Sequence, residues 1–98
     1  MTTQEPSQFS QQAVKVFKAL SDRTRYQMVR MLYAKGEVGC AEFQEAFPLS
    51  ASALSHHYRV LENAGLIETR KEGLYVYHRL NRDALESVIP GFGGAHAQ

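Results

Sequence analysis

The sequence has a single cysteine, Cys40, and therefore cannot form an internal disulfide. A chain without disulfides suits a reducing compartment, where thiols stay reduced. The sequence also lacks long apolar runs, and no stretch approaches the roughly 18 residues that a membrane-spanning helix needs. The opening MTTQEPSQFSQQ is polar and lacks the charged-then-apolar order of a signal peptide. These absences predict a cytoplasmic protein with no membrane partner.

The net charge is small as well, because 11 basic and 10 acidic residues give a formal charge of +1. Domains that bind nucleic acid are usually strongly basic, so this balance does not favour that function. The charge is uneven, however, because residues 14–35 hold six basic residues and one acid, whereas residues 36–49 hold three acids and no base. Local basic patches are compatible with this distribution.

The motifs of common enzymes are missing. The sequence contains no G-x-G-x-x-G, P-loop, H-E-x-x-H or nucleophile elbow, and its histidines have no nearby nucleophile. We therefore expect a protein that is not an enzyme and that carries no cofactor.

Apolar residues recur at helical spacing through the first two thirds of the chain. The pattern predicts a first helix over 8–20, a second from the cap Ser21-Asp22 to the stop Gly36, a third over Cys40–Phe47, and a fourth from the cap Ser50 to about Ala64. After Gly65 the apolar period shortens to about 2, which indicates strands. Alternation on both sides of Lys71-Glu72-Gly73 predicts a β-hairpin with a three-residue loop, in which Gly73 takes the left-handed conformation.

The last predicted element is a short helix over 82–89, capped by Asn81 and ended by Pro90-Gly91. The resulting order, α-α-α-α-β-β-α, is that of the winged helix-turn-helix, a mainly α fold with a β-hairpin wing. We predict one such domain over 1–98, with an ordered core at 8–89 and frayed ends at 1–7 and 90–98.

The fourth helix has two different faces when it is drawn at about 100° per residue. Leu54, Tyr58 and Leu61 form an apolar stripe. The opposite face is small and polar, and consists of Ser52, Ser55, His56, Arg59 and Asn63. Such a face suits a helix that enters the major groove, because short side chains allow close approach and donors can reach bases and phosphates. The alternative is a solvated surface, although that usually carries more Glu and Lys.

His56 and His57 point about 100° apart on this helix, so they cannot bind one metal ion as an i, i+4 pair does. His56 lies on the polar face. His57 lies at the margin of the core beside Ala53 and Ala64, where a half-buried, hydrogen-bonded histidine is the alternative to a contact with DNA.

Four motifs together resemble the ArsR/SmtB family of bacterial winged helix-turn-helix repressors: A-L-S-D-R-T-R at 19–25, S-x-H at 55–57, V-L-x-x-A-G-L at 60–66 and R-x-E-G at 70–73. The resemblance covers residues 12–80. It implies a homodimer, joined mainly through the first and last helices, that binds a pseudo-palindromic operator in double-stranded DNA and represses transcription. Because Pro90 cuts the last helix short, we expect the first helix to carry more of the dimer contact.

The resemblance also implies which residues meet DNA. The predicted DNA-binding set is Ser50, Ser52, Ser55, His56, His57 and Arg59 at or near the groove, with Arg70 and Lys71 on the wing.

The metal sites of this family are not matched here. Its third-helix motif E-L-C-V-C-D-L corresponds to EVGCAEF, in which Gly39 and Ala41 take the places of the two ligand cysteines. In the family's other site, Asp83 would need a histidine where Leu85 stands. One cysteine cannot supply a thiolate site, so we expect no metal.

Cys40 allows two interpretations. It is either a small buried residue near a helix start or a redox-sensitive thiol, because a helix N-terminus lowers a thiol pKa. Without a second cysteine, such a switch would need a sulfenic acid, a small-thiol adduct or a bridge between subunits. The alternatives to a metal-independent repressor are therefore a thiol-based redox-responsive repressor and a winged-helix module for protein–protein contact, which the near-neutral charge would suit.

Overall fold

The computed structural model describes residues 8–96, and the side chains of residues 11–96. Its elements are α1 (Gln8–Leu20), α2 (Arg23–Lys35), β1 (Glu37–Gly39), α3 (Cys40–Ala46), α4 (Ala51–Asn63), β2 (Ile67–Glu72), β3 (Tyr75–Leu80), α5 (Arg82–Val88) and α6 (Phe92–Ala95). The predicted winged helix-turn-helix is confirmed, and the ends of the predicted helices agree with the structure within one residue. None of the helices in this part of the chain has the length and apolar character needed to cross a bilayer.

Side-chain caps begin the helices where the sequence predicted them. The Asp22 carboxylate accepts a hydrogen bond from the Arg25 backbone N–H at 2.9 Å. The Ser50 hydroxyl oxygen accepts from Ala53 at 3.0 Å, and the Asn81 side-chain oxygen accepts from Ala84 at 3.1 Å. Each cap pairs a backbone donor that the first helical turn leaves without a partner, which fixes where the helix begins.

The core lies where the helices meet the wing. Every helix and strand contributes at least one buried apolar residue to it: Val16, Ala19, Met28, Val29, Leu32, Val38, Phe43, Leu54, Leu61, Ala64, Leu66, Ile67, Leu80, Leu85 and Phe92. Leu54 and Leu61 belong to the predicted apolar stripe of α4. The apolar stripe that helical periodicity predicted on α4 is therefore confirmed.

The wing has a third strand that the sequence did not reveal. The sheet order is β1-β3-β2, and all neighbours are antiparallel. Val38 of β1 is fully buried and pairs with His78 of β3. A strand of three residues is too short for its alternation to be distinguished in the sequence, and it forms because the edge of β3 offers backbone partners.

The loop of the hairpin is shorter than predicted. Glu72 pairs with Tyr75, which leaves a loop of Gly73 and Leu74. The predicted three-residue loop is therefore wrong. The prediction for Gly73 is confirmed, with a φ of 60°. Glycine at the first loop position is typical of two-residue type II′ turns, whose twist matches that of the strands.

The C-terminal end was predicted to fray from residue 90, and this is wrong for the part that the structure describes. Gly91 takes a left-handed φ of 76° and starts the helical turn α6. Phe92 is only 1% exposed. Its ring packs against Tyr26 and Tyr33 of α2, with centroids 6.3 and 5.5 Å away. The predicted frayed segments 1–7 and 97–98 lie outside the described residues.

Candidate nucleic-acid interface

The polar face of α4 is open to solvent along its length. Its five side chains are all exposed: Ser52, Ser55, His56, Arg59 and Asn63. On the other side, Leu54 and Leu61 are 1% and 0% exposed, and Tyr58 is half-buried. The predicted orientation of the helix is therefore confirmed, and a surface of small polar groups with one Arg is available for a ligand.

Contacts on three sides hold α4 in place. The Gln12 side chain of α1 donates a hydrogen bond to the Ala64 carbonyl at the end of α4. The Tyr58 ring lies 5.7 Å from that of Phe43 in α3 and 3.9 Å from that of His78 in β3, to which it is tilted by 30°. Because these contacts come from different elements, the polar face is presented on a fixed support.

His57 is half-buried rather than exposed, with 14% of its side chain accessible. Its Nδ1 lies 3.1 Å from Nη1 of Arg25 and 4.0 Å from Oδ2 of Asp22. Burial lowers the pKa of His57, while Asp22 opposes this shift and Arg25 and His56 add to it. His57 is thus a hydrogen-bonded residue at the core margin, as one interpretation of the sequence had it, and its contact with DNA stays a prediction.

Arg70 lies on β2 of the wing, and each of its three guanidinium nitrogens donates a hydrogen bond within the protein. Its Nη2 and Nε donate to Glu37 at 2.9 and 3.1 Å, and Nη1 donates to Glu72 at 3.2 Å. The guanidinium also lies 4.6 Å over the ring of Tyr77. The hydrogen bonds from Arg70 hold the pKa of the Glu37 carboxyl below its ordinary value. Sequence reasoning missed Glu37 as a partner because it missed β1.

Lys71 follows Arg70 on the same strand and is exposed. Among residues 8–96, no carboxylate lies within ion-pair distance of its ammonium group. The two basic residues predicted on the wing therefore differ, because Lys71 can meet a phosphate directly whereas Arg70 must first leave Glu37.

Cys40 is half-buried at the first position of α3, and its Sγ lies 3.3 Å from Nε2 of His78. Burial raises the pKa of the thiol, and the Tyr58 hydroxyl opposes this shift only in part. This direction is opposite to the one that a reactive thiol needs, and the redox role of Cys40 stays a prediction. Within the described range, no three His, Cys, Asp or Glu side chains gather around a point that could hold a metal ion.

His78 is a buried polar residue to which the sequence assigned no role. It is 2% exposed, and its Nδ1 lies 3.2 Å from the Thr69 hydroxyl, which donates to the Glu62 carboxylate. Burial lowers the pKa of His78, and Glu62 opposes this shift. The alternation of His78 with Val76 and Leu80 along the strand was the signal that could have revealed its burial.

The buried His78 and the half-buried His57 predict that acid destabilises the fold well before carboxylates titrate. The pKa values of His57 and His78 are lower in the folded protein than the ordinary value of 6.5. The unfolded chain therefore takes up protons first, so this stability is present above pH 6.5 and is lost as the pH falls towards the folded pKa values. Each histidine contributes a slope of up to about 1.4 kcal/mol per pH unit.

Urea unfolding followed by circular dichroism between pH 7.5 and 5.0 measures this slope. His78→Gln should reduce it, whereas Ser55→Ala, on the exposed face of α4, should leave it unchanged. Asp22 and Glu37 have lowered pKa values, so they act mainly below their ordinary values of 3.8 and 4.5. An unfolding free energy that is constant from pH 7.5 to 5.0 would contradict the prediction.

The chain is similar to known proteins over a region that extends well beyond α4. A family model described as a helix-turn-helix domain matches residues 20–70. The HTH-type transcriptional regulator YceK of Bacillus subtilis is 38% identical over 78 residues, which are 79% of this chain and 78% of that protein. The arsenic resistance transcriptional regulator ArsR1 of Pseudomonas putida is 38% identical over 73 residues, which are 74% of this chain and 57% of that protein.

A solved structure shares the whole architecture. HlyU from Vibrio cholerae N16961 superposes with a TM-score of 0.79 at 32% identity, covering 94% of this chain and 99% of that one. The similarity therefore includes the helices that support α4 as well as the wing.

Proposed function

Because the chain belongs to the ArsR family of winged helix-turn-helix transcriptional regulators, we propose that it is a cytoplasmic repressor that binds a pseudo-palindromic operator as a homodimer. The observation that carries this proposal is the exposed polar face of α4, which is mounted on a buried apolar stripe. Paired α4 helices would read two half-sites one helical turn apart, roughly 34–36 Å between centres.

The residues on the polar face of α4 differ in the hydrogen-bonding groups and in the side-chain length that they present to DNA. Arg59 and His56 carry nitrogen donors suited to base edges, and Ser52 and Ser55 are short enough to allow close approach. Ser50 already accepts a hydrogen bond from Ala53, so its hydroxyl proton is available to a phosphate oxygen. His57 adds a contact from the margin of this face, and Arg70 and Lys71 of the wing would meet the backbone.

Support for the homodimer comes from α1. Val14 and Phe17 are 51% and 54% exposed, although both are large apolar side chains. They lie away from Val16 and Ala19, which face the core. A second copy that covers Val14 and Phe17 would remove apolar surface from water. At the other end of the chain α6 is a single turn folded onto α2, so we assign the larger share of the interface to α1.

Fluorescence anisotropy with DNA from the protein's own promoter region tests the proposal, with a shuffled duplex as the control. We expect promoter DNA to bind more tightly than the shuffled duplex, and the affinity to fall linearly with salt on logarithmic axes. Sedimentation at micromolar concentration should show a dimer. A monomer that binds neither duplex at low salt would exclude this function and leave the protein–protein module as the alternative.

The ion pair between Glu37 and Arg70 predicts that removing an acid on the wing strengthens DNA binding. Glu37→Gln removes one of the two carboxylate charges that engage Arg70, the one with two hydrogen bonds, so the guanidinium can turn to a phosphate more easily. We expect operator affinity to rise about two- to fivefold, equally for cognate and shuffled DNA, because the lost pair is partly exposed.

Glu68→Gln is the matched control, since it removes one negative charge from the same sheet at the pair between Glu68 and Arg79. Equal gains in both variants would mean that only net charge matters. In an Arg70→Ala background, Glu37→Gln should have no effect on affinity, and a full gain there would contradict the proposed release of Arg70.

A further inference from the structure

Arg25 links the start of α2 to the end of α1 and to the middle of α4 through its backbone and side chain. Its backbone N–H donates to the Asp22 cap at 2.9 Å. Its Nε donates to the Ala19 carbonyl at the end of α1, at 2.8 Å. Its Nη1 lies 3.1 Å from Nδ1 of His57 on α4. The guanidinium is therefore anchored on one side by backbone and directed on the other side at the imidazole.

This contact determines which nitrogen of His57 carries the proton. A guanidinium has donors only, so Nδ1 must be the acceptor and must be unprotonated. Asp22 does not reverse this assignment, because its Oδ2 is 4.0 Å from Nδ1 and already accepts from the Arg25 backbone. A proton on Nδ1 would point at an N–H of Arg25. The neutral ring therefore carries its proton on Nε2.

The charges around the ring favour the neutral form at pH 7. Arg25 on α2 and His56 on α4 both oppose a second proton, and burial does so most strongly. Asp22 is the one group among those facing the ring that favours the charged form. The balance lowers the pKa of His57, so the ring stays a neutral donor.

Nε2 finds no acceptor among the residues that the structure describes, although the ring is only 14% exposed. The ring lies beside His56 on α4, with 5.6 Å between centroids, at the edge of the proposed reading face. We propose that Arg25 is a positioning residue for operator recognition, which holds His57 in the Nε2-protonated form so that it donates one hydrogen bond to an oxygen of the DNA. The part of this inference that concerns the tautomer of His57, the protein half, rests on the geometry of the free protein. The part that concerns the hydrogen bond to the operator, the DNA half, rests on the proposed function.

Long-range ¹H–¹⁵N NMR of the full chain without DNA tests the protein half. In the wild type, His57 should show the Nε2–H tautomer at pH 7. Arg25→Ala should shift His57 towards a mixture of tautomers and raise its pKa. Arg23→Ala, which removes the same charge from the first turn of α2, should leave the tautomer unchanged. Loss of the contact to Ala19 also lowers stability, but a change in stability does not by itself move a tautomer.

Operator titration tests the DNA half. His57→Ala should weaken binding about tenfold, as expected when a hydrogen bond to a charged acceptor is lost. Arg25→Ala should weaken it by a smaller factor, because part of the His57 population keeps its proton on Nε2. The double variant should be no weaker than His57→Ala, because both changes act on one contact. Losses that multiply would overturn the proposal.

The two failures are distinguishable. If the wild type binds operator but His57 carries its proton on Nδ1, the positioning role of Arg25 is wrong and the proposed function stands. If the Nε2–H tautomer is found but no duplex is bound, the DNA half of this inference falls together with the proposed function. Arg25→Lys keeps the charge without the two-sided guanidinium, and should recover less than half of the affinity lost in Arg25→Ala.

Discussion

Replacing Phe92 with alanine should lower the free energy of unfolding by about 3–5 kcal/mol, the usual cost of emptying a buried aromatic site. The ring is 1% exposed and lies against Tyr26 and Tyr33 of α2, with the His96 ring stacked 5.0 Å away. His96 in turn hydrogen-bonds with the Tyr26 hydroxyl at 2.8 Å. Small domains are stable by only about 5–15 kcal/mol, so this loss would be a large fraction of the total.

Thermal and urea unfolding at fixed protein concentration measure the effect. Leu74→Ala is the control, because Leu74 is 99% exposed at the tip of the wing and should leave stability unchanged. Phe92→Leu, which refills part of the site, should fall between the wild type and Phe92→Ala. If Phe92→Ala unfolds at the wild-type temperature, α6 does not dock on α2 in solution.

Arg59→Ala should reduce operator affinity by roughly 5- to 150-fold, the range that corresponds to the 1–3 kcal/mol of a well-placed contact to a base. Arg59 lies on the polar face of α4, is exposed, and has no ion pair with any residue from 8 to 96. Its guanidinium is therefore available to DNA without breaking a bond in the protein. For the same reason the melting temperature should not change.

Anisotropy titrations with the operator and with single-base variants of it separate two kinds of contact. If Arg59 reads a base, Arg59→Ala should lose discrimination at one position of each half-site, whereas loss of a phosphate contact would weaken all duplexes equally. Lys35→Ala is the control for charge, because Lys35 pairs with Glu42 and lies outside α4. Wild-type affinity in Arg59→Ala would mean that this face of α4 is a solvated surface.

The sequence was sufficient for those features that local rules determine. The caps Asp22, Ser50 and Asn81 start helices by bonding their own first turns, and helical phase separates His56 from His57. These signals lie within a few residues of the structure that they specify, so the fold class and the polar face of α4 could be predicted.

Features that depend on distant partners could not be predicted in this way. The strand β1 exists because β3 is beside it. The glycine-rich composition around Phe92 indicated fraying, and the residues that hold Phe92 in place, Tyr26 and Tyr33, lie about 60 positions earlier in the chain. The partners of His57 and Arg70 are likewise 32 and 33 positions away. For Cys40, the burial that raises the thiol pKa comes from tertiary packing, which no local rule could supply.

The third strand changes the mechanics of the wing. A lone two-stranded hairpin is marginally stable and would sway about its base. Here β3 is the central strand, with β1 on one side and β2 on the other, and the Leu80 and Asn81 amides donate to the carbonyls of Gly36 and Leu66. The base of the wing is thus held on both sides of β3, because β1 pairs with residues 77–79 and β2 pairs with the other edge of the same strand. Little conformational entropy is left to lose at this base when DNA binds, so the angle of the wing to the duplex is set before the encounter.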